Sequence, residues 1–185
     1  MNFLRYFSVL VFVAAIGVSQ IAKAEIFTRD AEEDSRIAAK IYPLLTPEEQ
    51  EILVMEAEKV YQFCIKEELF ANFHDCQCLS ARFFDVRIQN PDLNMDIINL
   101  ASQFSHDCPN VPGAAGYAYN QCMTSYSPYM AYGAEAFCEC YATKFGTYFE
   151  KNTNANISNL NGIGTAAILE CNDEVDGPSP INPAY

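Results

Sequence analysis

The chain has no tryptophan, two histidines, and only 11 Lys and Arg against 24 Asp and Glu in 185 residues. So little positive charge excludes a broad electrostatic grip on nucleic acid or on an anionic lipid surface, because either would repel a chain of net charge −13. Ser, His and Asp do not fall at spacings that suggest a nucleophilic triad. No glycine-rich loop is present to cradle phosphate, and no paired acids sit in a recognisable catalytic motif. The acids are spread along the N-terminal part as a solvated face, and the run Asp30 to Asp34 lacks the glycine turn of a calcium loop. Alternating apolar and polar runs closed by hairpin turns are also missing, which removes β-rich folds.

One apolar run stands out, Tyr6 to Val18, behind Arg5 and ahead of Ala22-Lys23-Ala24. A short basic start, an apolar stretch and a small-x-small junction describe a secretory signal peptide over residues 1–24. The run is shorter than the ~20 residues of a membrane-spanning helix, so no stable membrane insertion is expected after cleavage. Loss of Arg5 and Lys23 leaves 9 basic against 24 acidic residues, a net charge of −15 on 161 residues. That length supports one domain or two small ones.

What the chain has in quantity is cysteine, eight in all. Phe73-His74-Asp75-Cys76-Gln77-Cys78 is echoed by Glu135-Ala136-Phe137-Cys138-Glu139-Cys140. Each Cys-x-Cys has one cysteine upstream, Cys64 or Cys122, and one downstream, Cys108 or Cys171. The spacings, C-x11-C-x-C-x29-C and C-x15-C-x-C-x30-C, are closely matched. Eight cysteines behind a signal peptide indicate a disulfide framework in an oxidising compartment. The bacterial periplasm is the first reading and the extracellular space the alternative.

The remaining pattern is helical. Thr46-Pro47-Glu48-Glu49 combines an N-cap, a proline at the first helical position and a capping box. It predicts a helix to about Phe70, with Ile52, Leu53, Val60, Phe63 and Cys64 near the 3.6 period. After a turn at 72–75, Cys76, Leu79, Phe83 and Val86 share a face, ending before Asn90-Pro91. A third helix is expected from Pro91 to Cys108 through Leu93, Ile97, Leu100, Ala101 and Phe104. Pro109 to Gly116 reads as a linker. The pattern then repeats: a helix with Tyr119, Cys122 and Met123, a second from about Glu135, and a third after Asn156 ending at Cys171. At an offset of 62 residues, Cys138, Tyr141, Phe145 and Tyr148 match Cys76, Leu79, Phe83 and Val86.

Antiparallel helices with short connections would bring four sulfurs to one pole of each unit. Residues i and i+2 of a helix point roughly 200° apart, so the two cysteines of a doublet reach opposite neighbours rather than each other. Two connectivities per unit survive. In the first unit they are 64–76 with 78–108, or 64–78 with 76–108, and Cys122, Cys138, Cys140 and Cys171 offer the same choice.

Two chemical uses of the doublets compete with crosslinking. A Cys-x-Cys at a helix N-terminus has the lowered thiol pKa of a redox site, but there is no preceding strand or βαβ pattern. A copper or zinc site could draw on His74, Cys76, Cys78, His106 and Cys108. The second copy keeps its cysteines yet has Ala136 and Leu169 in place of the histidines, which favours disulfides and no metal or other cofactor. A third feature is aromatic: seven of the eleven tyrosines lie between Tyr117 and Tyr148. Tyrosine suits interfaces, which makes Tyr126, Tyr129, Met130 and Tyr132 candidates for contact with a protein partner.

The chain therefore reads as an all-α, disulfide-stabilised protein of two related three-helix units. The divisions are a signal peptide 1–24, an acidic lead-in 25–45, a first unit 46–108, a linker 109–116, a second unit 117–171 and a disordered tail 172–185. The expected role is a non-enzymatic accessory or assembly component acting by protein binding. The alternative is a periplasmic thiol–disulfide or metal-handling protein.

Overall fold

A computed structural model describes residues 30–129, 133–153 and 155–174. The expected signal peptide, the start of the lead-in and the tail beyond residue 174 lie outside these. The described residues are helical throughout, apart from turns and one isolated bridge between His74 and Pro109. In chain order the helices are α1 (Ala31–Ile41), α2 (Pro47–Lys66), α3 (Glu68–Phe73), α4 (Cys76–Gln89), α5 (Ile97–Ser102), α6 (Val111–Ser125), α7 (Ala134–Lys151) and α8 (Ile157–Glu174). Short 3-10 turns cover Tyr42–Leu44, Ser105–Asp107 and Ser127–Tyr129.

Local chemistry fixes most helix starts. Thr46 accepts from the Glu49 N–H while the Glu49 carboxylate accepts from the Thr46 N–H at 2.8 Å, the expected capping box. Asp75 caps α4 by accepting from the Gln77 and Cys78 N–H groups, both at 2.9 Å. Gly133 precedes α7 with φ +80, a left-handed conformation that favours glycine.

All eight cysteines are paired: Cys64–Cys76, Cys78–Cys108, Cys122–Cys138 and Cys140–Cys171. Of the two connectivities, each half uses first with second and third with fourth. Cys76 turns toward the end of α2, and Cys78 toward the segment after α5. Four disulfides fit an oxidising, exported protein. No helix among the described residues is long and apolar enough to cross a membrane.

The core of the first half gathers Val60 and Cys64 of α2, Leu79, Phe83 and Val86 of α4, Leu100 and Ala101 of α5, and Phe104 and Cys108. The stripe predicted for α4 is thus its buried face. The second half packs Ala114 and Ala118 of α6 against Phe145 and Phe149 of α7 and Ile163 and Ala167 of α8. Small residues on α6 let α7 approach closely; a Cβ on Gly146 would already lie 3.2 Å from that of Ala115.

Four expectations are corrected. The helix from Thr46 breaks at Glu67, which leaves helical angles at ψ 93 and separates α2 from α3. The helix expected from Pro91 forms only over α5, because Asp96 caps the Ile98 and Asn99 N–H groups and starts it late. Phe104, at φ −120, also stands outside helical geometry before Cys108. The linker 109–116 is largely helix: Asn110 accepts from the Gly113 N–H at 3.0 Å, and Pro112 occupies the first turn, where proline is tolerated. Finally, the lead-in is not all solvated. Asp34 on α1 is 2% exposed, and its Oδ2 accepts from Arg82 Nη1 of α4 at 2.9 Å.

Arg82, 5% exposed, also donates to Asp107 at 3.0 Å and lies 5.7 Å over the Phe104 ring. Gln89 donates to the Asp34 backbone carbonyl at 3.2 Å, so α4 holds α1 through two side chains. Asp34→Ala leaves Arg82 with one carboxylate and is expected to cost about 3 kcal/mol, read as a lower urea midpoint, with α1 losing amide-exchange protection first. Peptide mapping without reduction should recover the 64–76 and 78–108 linkages. Loss of Cys78–Cys108, which closes the longer loop, should destabilise by roughly 1 kcal/mol more than loss of Cys64–Cys76.

Candidate functional site

The break at Glu67 turns α3 away from α2 and lays it against α6. Phe73, 4% exposed, belongs to the core of the second half, edge-on to Tyr117 at 5.2 Å and to Phe149 at 5.5 Å. Backbone bonds lock this crossover: the Asp75 N–H donates to the Cys108 carbonyl at 2.8 Å, and the Asn110 N–H to the Phe73 carbonyl at 3.0 Å. Asn110 Nδ2 donates to the Ala71 carbonyl at 2.8 Å. Gly113 sits inside this knot, where a Cβ would come within 2.3 Å of Asn110 Nδ2 and 2.5 Å of the Asn72 carbonyl. The two halves are therefore joined by a packed seam.

Along that seam α3, α6, α7 and the start of α8 enclose a half-open cleft of about 450 Å³, within the usual size of small-ligand sites. Five rings form its walls: Phe70 and Phe73 from α3, Tyr117 from α6, and Tyr141 and Phe145 from α7. Leu69, Ala118, Ala155 and Leu160 complete the apolar lining, and Leu69 is 62% exposed at the rim. Gln121, Asn161 and His74 are the polar members, and no charged side chain lines it. Burial holds the Tyr141 phenol above its ordinary pKa, reinforced by Tyr126 and Tyr117, so it stays neutral.

His74 stands where this cleft meets a second, more polar one of about 520 Å³ lined by Ser102, Ser105, His106, Asn152 and Thr153. It is 5% exposed and its ring lies 4.4 Å from that of Phe70. His74 Nδ1 is 3.1 Å from the Ser105 carbonyl, which can only accept, so Nδ1 carries the proton. In the neutral ring Nε2 then keeps its lone pair; it makes no hydrogen bond to the described residues and is open to water, since it is not among the buried atoms without a partner. Burial pulls the His74 pKa below its ordinary value of 6.5, against a smaller opposing effect of the Ser105 bond.

The structure distributes the residues singled out from the sequence differently. Cys76, Cys78 and Cys108 are bonded to sulfur, so they offer no thiolate to a metal; His74 is engaged by Ser105, and His106 Nε2 lies 3.2 Å from Asp107. Among the described residues no group of three or more His, Cys, Asp or Glu side chains is placed to hold a metal ion. Of the tyrosine cluster, Tyr126 is half-buried and packs edge-on to Phe137 at 6.3 Å. Met130 and Tyr132 lie outside the described residues, and of Tyr129 only the backbone, in the turn Ser127–Tyr129, is described. The cleft residues Phe70, Phe73 and Tyr117 escaped sequence reasoning because nothing in the periodicity shows that α3 leaves its own half. No protein-family model matches this chain, and no curated protein or solved structure resembles it significantly.

Because the folded chain keeps His74 neutral where the unfolded chain binds a proton, stability is expected to fall as pH drops below about 6.5. In His74→Gln, which retains a donor for the Ser105 carbonyl, this part of the loss should vanish. Urea midpoints at pH 7.5 and 5.5 check it: the drop should be larger in the wild type, since the other titrating groups are common to both chains.

Proposed function

We propose that this protein is an exported accessory component, periplasmic in location, that works by binding a protein partner rather than by catalysis. The observation that carries the proposal is the ring-lined cleft on the seam. Its walls α6, α7 and α8 are tied by Cys122–Cys138 and Cys140–Cys171, and a site held open before its partner arrives avoids the ordering cost of binding. An apolar anchor from a partner entering a concave, desolvated pocket is the usual source of interface affinity. The surface for the partner thus shifts from the segment 126–132 to the cleft. A thiol–disulfide role is less well supported, because every cysteine is engaged in a bridge.

The two halves are read as variants of one three-helix unit, an interpretation supported by their common order of sulfur pairing. In that view the second copy, together with α3 of the first, forms the working part.

Leu69→Asp places a charge at the exposed rim of the cleft without touching the core. Recovery of the partner from a periplasmic extract by immobilised protein should fall at least tenfold with this variant, while helicity by circular dichroism stays unchanged. Equal recovery by the two proteins would remove the cleft as the docking site. Titration of the native protein with a thiol reagent should find no reactive thiol; one or more per chain would favour the redox reading instead.

A further inference from the structure

We infer that the cleft recognises a neutral aromatic group bearing a single hydrogen-bond donor, a phenol or an indole, whose O–H or N–H is donated to Nε2 of His74. The inference rests on the reading of the cleft as the binding site and adds the chemistry that it selects.

Three features of the cleft point there. The first is the ring lining. Phe73 and Tyr117 already meet edge-on at 5.2 Å, and Tyr141 and Phe145 meet at 5.9 Å. A flat ligand entering between such pairs gains offset or edge contacts beyond plain burial of apolar area. The second is the polarity of the one deeply buried polar side chain. The Ser105 carbonyl fixes the proton on Nδ1, so the free nitrogen of a 5%-exposed ring is an acceptor. Nε2 is not among the buried atoms left without a partner, so water reaches it in the free protein, and a ligand O–H or N–H takes the place of that water in a partly apolar setting. The third is charge. The lining has no lysine or arginine, and the chain carries a net −13. A carboxylate or phosphate on the ligand would be desolvated with nothing to pair it. Fatty acids and anionic metabolites are therefore disfavoured, and a neutral donor is favoured.

A phenol or indole could arrive as a free compound or as the tyrosine or tryptophan side chain of a partner protein. Both present the same group to His74, and the size of the cleft leaves room for flanking atoms of either.

The absence of tryptophan makes the test direct, because an indole probe can be excited without background from the protein. Titrations compare indole, 1-methylindole, which lacks the N–H, and indole-3-acetate, which adds a negative charge. Indole should bind about tenfold more tightly than 1-methylindole, the worth of one hydrogen bond in a partly dry site, and indole-3-acetate should bind more weakly than either. In His74→Leu the preference for indole should collapse to parity while 1-methylindole binding is retained, which also shows that the cleft is intact. Asn161→Phe, which fills the cleft from an exposed position, should abolish binding of all three. Equal binding of indole and 1-methylindole to the wild type overturns the role of His74, and no binding of either at millimolar concentration overturns the ligand class. Neither result bears on recovery of the partner by the wild type over Leu69→Asp, so the broader proposal stands or falls separately. The pentapeptide Gly-Gly-Trp-Gly-Gly separates the sources: tighter binding than free indole assigns the group to a partner protein, and weaker binding assigns it to a free compound.

Discussion

The structure depends on one geometric constraint, two cysteines one residue apart within the first two turns of a helix. Side chains at i and i+2 diverge, so a single turn can be tied to two different neighbours at once. In α4 the ties run back to the end of α2 and forward to the segment after α5; in α7 they run to α6 and α8. Both crosslinks of each doublet lie at the same end of its helix. A strongly acidic chain with a modest core gains from such ties, which restrict the unfolded ensemble in which like charges could separate freely.

Between the two tied regions lies the seam that carries the aromatic cleft. It exists because α2 does not continue: the change of direction at Glu67 sends Phe73 into the neighbouring core and leaves His74 buried behind it. Asn110 is the companion element. One side chain caps α6, holds the Ala71 carbonyl and crowds Gly113. The cleft is therefore set by the path of a few backbone residues, with the longer helices serving as its walls.

The helical class, the capping box at Thr46, the buried stripe on α4 and the engagement of every cysteine were legible from residue type and spacing. The choice between two sulfur pairings was not, because periodicity shows that Cys76 shares a face with Leu79 and Phe83 but not whether that face meets the preceding or the following helix. Composition misled at Pro109 to Gly116. Proline is harmless in a first turn, and the alanines that suggest a loop are what allow α6 to pack closely on α7. It also misled at Asp34, where one acid in a charged run found a buried arginine 48 residues away. The cleft was invisible for a related reason: its rings come from three helices whose meeting is decided by tertiary packing.

The four crosslinks are neither nested nor interleaved. They close four successive loops, 64–76, 78–108, 122–138 and 140–171. Oxidation of any one loop need not await another, so the nascent chain can mature from its N-terminus as it emerges, without threading one ring through a second. The arrangement has a weak point as well. Between Cys108 and Cys122 a single stretch of backbone is the sole covalent thread, so a protease that cut there would leave two cyclised fragments held together by the seam alone.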